Sequence, residues 1–299
     1  MARTRLRGLE IGGIQIGIEV PENCEWDWPE APVSEFQCLP RDPEVHVGIR
    51  IGLVEQEDLG GERYSMGVWT FEVARTGSDW LLGMSRGGRR AQIAHFDREF
   101  RLGEIVVSEE MARTRTYPLR GPLDEWIVLH RTVARGGLCL NASAHELDGQ
   151  AILRLGAPVP GAANRWHTPS TSLLGRSALL IREERDRLRL FRTPWSESID
   201  PRLPFECRLR EIQRVEESDQ PWRQALDPAD AADLLVRNAV VPLCDDTLLE
   251  RVLRNAQRIV ESASVMEVGS VPAGEESTAP MAWRSTQLQS AFAPPRGDF

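Results

Sequence analysis

The sequence predicts a mixed α/β protein with a β-rich N-terminal layer. Two observations place strands toward the N-terminus. Short runs there alternate β-branched residues with small or polar ones, and paired glycines separate these runs in the manner of tight turns. A third observation adds helices, because windows with an apolar stripe at helical spacing appear in the middle and near the C-terminal end.

The N-terminal third is expected to form a mostly antiparallel β-layer. Turns are predicted at Gly60-Gly61, Gly77-Ser78 and Gly87-Gly88. The predicted strands are GLEIGGIQIGIEV (8–20), VHVGIRIGLV (45–54), MGVWTFEVA (66–74), DWLLGM (79–84), AQIAHF (91–96) and EIVVS (104–108).

A helix is predicted in GPLDEWIVLHRTVARGG, residues 121–137. Pro122 suits its first turn, and Gly136-Gly137 ends it. A tight turn at Asp148-Gly149 then joins two strands. The strands predicted after the helix are 138–147, 151–155, 177–184, 187–194 and 205–217.

Two further helices are predicted near the C-terminus. The helix in 227–241 is expected to begin at the N-cap Asp227, and the helix in 245–263 at Asp245 or Asp246. From about residue 270 the chain is rich in Pro, Ser, Ala and Gly and has no sustained period. This segment is predicted to be a tail, disordered alone or ordered on a partner.

Composition excludes several classes of function. The net charge of −9 argues against a nucleic-acid partner, since phosphate neutralisation needs a basic face. No apolar run approaches the roughly 18 residues of a membrane span, so no membrane insertion is expected. The N-terminus lacks the apolar segment of a secretory signal, and the five cysteines form no CxxC or Cys/His cluster. A cytoplasmic protein without a metal site is therefore expected.

All 36 basic residues are arginine, because the chain contains no lysine. No lysine amine is therefore present to hold a phosphate or to form a Schiff base. The cluster Arg86, Arg89 and Arg90 is open to two interpretations, a docking point for an anionic partner or a solvated turn.

The stretch AILRLGAPVPGAANRWH (151–167) begins like a phosphate-binding loop. An apolar strand runs into Gly156, and Gly161 follows five residues later. A phosphate loop then continues with lysine and a hydroxyl residue, which reach the outer phosphates and magnesium. Here Ala162 and Ala163 follow instead.

Residues 117–268 resemble the C-terminal catalytic domain of HPr kinase/phosphorylase and its stand-alone relatives. These relatives are bacterial P-loop serine kinases with a fold similar to that of phosphoenolpyruvate carboxykinase. Five pieces in order carry the resemblance: residues 117–153, RLRLFRTPW (187–195), LREIQRVEES (209–218), DPADAADLLVRNAVVPLCDD (227–246) and the closing helix. The resemblance implies a β-rich N-terminal region (1–116), an HPr-kinase-like P-loop domain (117–268) with C-terminal helices, and a tail (269–299).

The resemblance also implies where the family's catalytic residues fall. Gly156 and Gly161 match the loop glycines, and Ala162 and Ala163 match the lysine and the hydroxyl residue. The family's aspartate pair falls on Arg176 and Ser177, and a histidine often found before the loop falls on Asn141. Apart from the two glycines, every one of these positions departs from the family pattern, so no catalytic residue and no cofactor are expected.

The resemblance therefore implies a pseudokinase, which acts as a scaffold or regulatory subunit that binds a protein or peptide. Such a role is compatible with a homo-oligomer or a hetero-oligomer. The alternative is an active ATP- and Mg²⁺-dependent serine kinase with a rearranged phosphate site. Candidate contacts for an anion or partner are Arg165, His167, Arg176, Trp26 and Trp28. The two tryptophans have a second interpretation, a lid on the β-layer.

Overall fold

The computed structural model describes residues 4–22, 25–29, 31–156, 172–196, 204–241 and 245–270. These residues form two compact units that divide between Arg131 and Thr132. The N-terminal unit contains the described residues up to Arg131, and the C-terminal unit contains those from Thr132 onward. Each unit is built on its own sheet.

Nine strands form the sheet in the described part of the N-terminal unit. They are β1 (Thr4–Ile11), β2 (Ile14–Pro21), β3 (Gln37–Cys38), β4 (Val45–Ile51), β5 (Glu62–Met66), β6 (Trp69–Thr76), β7 (Asp79–Arg86), β8 (Arg89–Phe96) and β9 (Leu102–Val107). Their order across the sheet is β3-β1-β2-β4-β9-β8-β7-β6-β5. The pairings β2–β4 and β4–β9 are parallel and the other six are antiparallel, which confirms the mostly antiparallel layer.

Two predicted strands are wrong in the same way, because each is a hairpin. Residues 8–20 were expected to form one strand, but Gly12 and Gly13 have φ of 58° and 66° and turn β1 into β2. Two successive positive φ angles define a type I′ turn, which glycine adopts without steric cost. Residues 66–74 likewise contain a turn at Gly67, which separates β5 from β6.

Two α-helices follow the sheet. Helix α1 (Glu109–Arg113), which the sequence pattern did not predict, begins where the Ser108 side chain accepts a hydrogen bond from the Met111 amide. Helix α2 (Leu123–Ala134) confirms the predicted helix in 121–137. A short 3₁₀ helix (Val33–Phe36) precedes β3.

The N-terminal unit's part of α2 is buried on every face, not along one stripe. Trp126 packs against Trp80 and Phe71 with ring centroids 5.7 and 5.8 Å apart, both edge to face. His130 stacks on Phe100 at 4.3 Å. The helix is therefore part of an aromatic core over the sheet, and its polar side chains lie inside that core.

Arg131 is the charged side chain at the end of this part of α2, and it is only 3% exposed. Its Nε donates to Glu44 Oε1 at 2.7 Å, and its NH1 donates to the Glu99 carbonyl oxygen at 2.8 Å. The buried guanidinium thus has a carboxylate and a carbonyl as partners, as burial of a charge requires.

Seven strands form the sheet in the described part of the C-terminal unit. They are β10 (Leu138–Leu147), β11 (Gln150–Leu155), β12 (Ser172–Glu184), β13 (Arg187–Phe191), β14 (Glu206–Glu217), β15 (Trp222–Ala225) and β16 (Val265–Ser270). Their order is β11-β10-β12-β13-β14-β16-β15. Because β11 also pairs with β14, in parallel, five of these strands close into a ring.

Strands β15 and β16 were not predicted. Strand β16 lies beside β14 in parallel and beside β15 in antiparallel orientation. Helices α3 (Pro228–Arg237) and α4 (Asp246–Ser262) confirm the two predicted helices. Asp227 caps α3, and of the two candidates for the other cap it is Asp245 that accepts from the Leu248 amide.

The protein is thus of the mixed α/β class, with two β-sheets and few helices. The finer expectation, an HPr-kinase-like P-loop domain, stays a prediction. Within the described ranges, no helix combines the length and the apolar character that a membrane span needs.

We expect Arg131→Ala to lower the free energy of unfolding by about 3 kcal/mol, because it leaves Glu44 without its buried partner. Arg50→Ala is the matched control, since Arg50 pairs with Glu104 on the surface of the same unit. That control is expected to cost less than about 1 kcal/mol. Urea unfolding of both variants measures the difference. Equal losses in the free energy of unfolding would contradict a stabilising role for the buried Arg131–Glu44 pair.

A second prediction concerns Glu125, in the first turn of α2. Burial, and then the neighbouring Asp124, raise the pKa of Glu125 well above its ordinary value of 4.5. The folded protein therefore keeps a proton that the unfolded chain has lost, so stability falls as pH rises above about 4.5. The slope approaches about 1.4 kcal/mol per pH unit.

Glu125→Gln should flatten this decline and raise stability at neutral pH, as urea unfolding from pH 4 to 8 would show. The exposed Glu109→Gln is the control and should keep the wild-type slope. If Glu125→Gln leaves the dependence of the free energy of unfolding on pH unchanged, then Glu125 titrates like an exposed carboxyl group.

Candidate functional site: an arginine-lined pocket

A cavity of about 410 Å³ opens at one end of the N-terminal sheet. Five adjacent strands reach it. Strands β4, β9 and β7 do so at their C-terminal ends, and strands β8 and β6 do so at their N-terminal ends. Helix α1 supplies the opposite wall. The charged residues that line the cavity are Arg86, Arg89, Arg90, Arg113, Glu109 and Glu110.

Arg90 forms a fixed wall of this pocket and is only 6% exposed. Its NH2 donates to Glu72 Oε2 at 2.6 Å, and its NH1 donates to the carbonyl oxygen of Glu55 at 3.0 Å. The Gln56 amide clamps the Arg90 backbone, accepting from its N–H at 2.8 Å and donating to its carbonyl at 3.2 Å. The loop after β4 is thereby fastened to β8.

Trp69 brings two further guanidinium groups together. Arg86 Cζ lies 5.7 Å from the centroid of the Trp69 ring, and Arg120 Cζ lies 4.9 Å from it. Partial burial, and then the nearby Arg86, lower the pKa of Arg120, while Asp124 acts in the opposite direction. The ring's negative face attracts both cations, which lie close enough to repel each other.

The opposite wall carries carboxylates. Glu109 and Glu110 stand in the first turn of α1, where the helix end favours negative charge. Glu110 Oε2 lies 3.9 Å from Arg89 NH1, and both side chains are largely exposed. Arg113 in the last turn of α1 also lines the cavity, so this helix contributes both signs of charge.

Sequence reasoning named Arg86, Arg89 and Arg90 but not their partners in the pocket. Trp69 and Arg120 reach the cluster from other parts of the chain. The local signal was the density of arginine around a glycine turn. It did not separate the buried Arg90, which is structural, from the exposed Arg86 and Arg89.

The positions that match the kinase family lie in the C-terminal unit. Ser143 on β10 pairs with Arg154 on β11 and with Arg176 on β12, which makes one row across three strands. Gly156, Asn141 and Ser177 each lie within two residues of this row. The structure therefore brings these three positions to one level of the sheet.

These positions carry little charge of their own. Gly156 has φ of 116°, which glycine adopts readily, and the buried Ser177 has φ of 65°. Arg176 is described in its backbone alone, whereas Gly161, Ala162, Ala163, Arg165 and His167 lie outside the described residues. Within the described part of the chain, no group of three His, Cys, Asp or Glu side chains is placed to hold a metal ion.

Arg154, two residues before Gly156, is held by its neighbours. Its Nε donates to Gln213 Oε1 at 3.1 Å, and the Gln213 amide donates to Glu211. Glu211 in turn accepts from Arg223 NH2 at 2.5 Å. Burial lowers the pKa of Arg154, and Glu211 acts in the opposite direction. This guanidinium is thus part of a network on the sheet.

Trp26 and Trp28 pack on the N-terminal unit. Trp26 is 4% exposed, and the Trp28 ring lies 5.4 Å from that of Tyr117. Arg7 Cζ lies 5.3 Å from the centroid of each tryptophan ring. Such contacts are those of a lid, while the half-buried Trp28 keeps one side toward solvent.

No protein-family model matches the chain, and no curated protein matches it. Its function therefore has to be argued from the residues and from the geometry of the two units.

The clamp at Gln56 gives a testable consequence for the pocket. Gln56→Ala removes both hydrogen bonds between the Gln56 side chain and the Arg90 backbone, so the loop after β4 should open more often. Hydrogen exchange of the Arg90 amide should become about 5- to 30-fold faster, because each of the two lost hydrogen bonds is worth about 1 kcal/mol. Gln15→Ala, which removes an exposed hydrogen bond from the Gln15 side chain to Glu10, should leave that exchange rate unchanged.

Proposed function

We propose that this protein is a non-catalytic relative of the HPr kinases, a pseudokinase that acts as a scaffold or regulatory subunit and binds a protein or peptide. One observation carries the proposal. The positions Gly156, Asn141 and Ser177 lie together on neighbouring strands, as a shared site requires, yet they supply only a glycine, an amide and a hydroxyl.

Phosphoryl transfer needs more than this set provides. Its transition state is stabilised by a basic side chain and by a metal ion held on carboxylates, and these cations position the phosphates and neutralise their charge. The chain has no lysine. The guanidinium of Arg154 donates a hydrogen bond to Gln213, which fixes its position, whereas a phosphate ligand of this kind has to be mobile.

The rival function is an active kinase with a rearranged phosphate site, for which Arg176 and Arg165 would supply the missing cation. A P-loop kinase binds Mg²⁺-ATP to its folded state, so saturating nucleotide would raise its apparent stability. At 100 times the dissociation constant this increase is about 2.7 kcal/mol. The two functions therefore differ in a measurable stability.

We expect no shift of the melting temperature with Mg²⁺-ATP and no ATP turnover above the buffer control. The matched variants Arg165→Ala and Arg176→Ala should behave as the unmodified protein does. Turnover that either variant abolishes would favour the rival and refute the pseudokinase.

The binding role is tested separately. Proteins and peptides that co-purify with the chain from its native host would be identified by mass spectrometry, then titrated individually into the purified chain. At least one should bind directly and saturably. If none does, the scaffold function is wrong, whatever the result with ATP.

A further inference from the structure

The pocket of the N-terminal unit holds cations that destabilise one another. Arg86 at the end of β7 lies directly opposite Arg89 at the start of β8 in the cross-strand register. Like charges in that position destabilise a sheet. Arg120 adds a third guanidinium at the Trp69 ring, next to the residues that line the cavity, and the charge of Arg86 helps to lower the pKa of Arg120.

Within the described ranges these charges are poorly compensated. Arg86 forms no ion pair within these ranges, Arg89 has the exposed Glu110 at 3.9 Å, and Asp124 lies near enough to Arg120 to favour its charge. Buried Arg90, by contrast, is neutralised by Glu72. In a chain with a net charge of −9, an uncompensated group of arginines at a cavity needs a separate explanation.

We propose that the pocket is a binding site for an oxyanion, a carboxylate or phosphate group held by Arg86 and Arg89 beside Trp69. A guanidinium presents N–H groups in a planar fork that matches both oxyanions, and a bound anion would relieve the repulsion among the three arginines. Trp69 fixes the guanidinium groups at its ring, which lowers the entropy cost of ordering them.

The rest of the pocket has room for the body of an organic ligand. A cavity of about 410 Å³ is far larger than one oxyanion group and lies in the range of ordinary ligand pockets. Leu53, Val54 and Met111 supply apolar lining, and Leu53 is wholly exposed. Helix α1 contributes both signs of charge to the lining, through Glu109, Glu110 and Arg113.

Two sources of this chemistry fit the site, a small organic anion and an acidic side chain of a peptide. The inference does not depend on the proposed function, because every residue involved belongs to the N-terminal unit. An anion site in that unit would remain if the chain proved to be an active kinase.

Calorimetric titration of the full chain tests the site. The probes are citrate and pyrophosphate for the small anion and a hexaglutamate peptide for the acidic segment. We expect at least one probe to bind in a 1:1 ratio, more weakly as salt is added, because screening weakens exposed charge pairs. The probe that binds more tightly identifies the source.

Variants locate the binding. Arg86→Gln and Arg89→Gln should each weaken it about 10- to 100-fold, the usual loss for one hydrogen bond to a charged group. Arg98→Gln removes an exposed arginine of the same unit outside the pocket and should leave binding unchanged. Arg86→Lys, which keeps the charge and loses the fork, should fall between the unmodified protein and Arg86→Gln.

Circular dichroism and the melting temperature show whether each variant is folded. Relief of repulsion predicts that Arg86→Gln is at least as stable as the unmodified protein, so the binding loss is measurable on folded material. The proposal is overturned if no probe binds, if both Gln variants bind as the unmodified protein does, or if Arg98→Gln loses as much affinity as they do.

Discussion

The burial of residues 123–131 of helix α2 on every face is the constraint on which the N-terminal unit depends. A helix of this kind has no solvent side on which to place polar residues, so each of them needs a partner within the protein. Arg131 meets this need through Glu44 and Glu99, and His130 through the stacked Phe100 ring. In the C-terminal unit, Asn255 of α4 donates to the carbonyl oxygens of Val133 and Gly137, so the end of α2 is also satisfied.

The same rule separates two kinds of arginine in this lysine-free chain. Arg90 and Arg131 are buried, and each has a carboxylate together with backbone carbonyls. Arg86 and Arg89 line a cavity and are exposed, so water or a ligand can reach them, and Arg86 lies against the Trp69 ring. Burial demands partners within the protein, whereas a partly exposed guanidinium is available to a ligand. The pocket derives its proposed role from this difference.

In the C-terminal unit, polar residues are tied into the sheet. The series Arg154, Gln213, Glu211 and Arg223 connects β11, β14 and β15 by side-chain hydrogen bonds. A network of this kind favours one register, since a shift by one residue would turn every member to the other face. It also supports the proposal of a non-catalytic protein, because a mobile catalytic cation would need to be free of such bonds.

The sequence by itself determined the features that depend on neighbouring residues. Helix α2, the cap at Asp227 and the turn at Asp148-Gly149 follow from short-range hydrogen bonds and from glycine's freedom at positive φ. The paired glycines at 12 and 13 carried a hairpin signal as well, but the strand pattern on both sides concealed it. Only the tertiary structure decided which strands are neighbours. It placed β16 beside β14, closed β11 onto β14, and brought Trp69 and Arg120 to Arg86. Long-range pairing depends on which surfaces bury each other, and no local pattern contains that information.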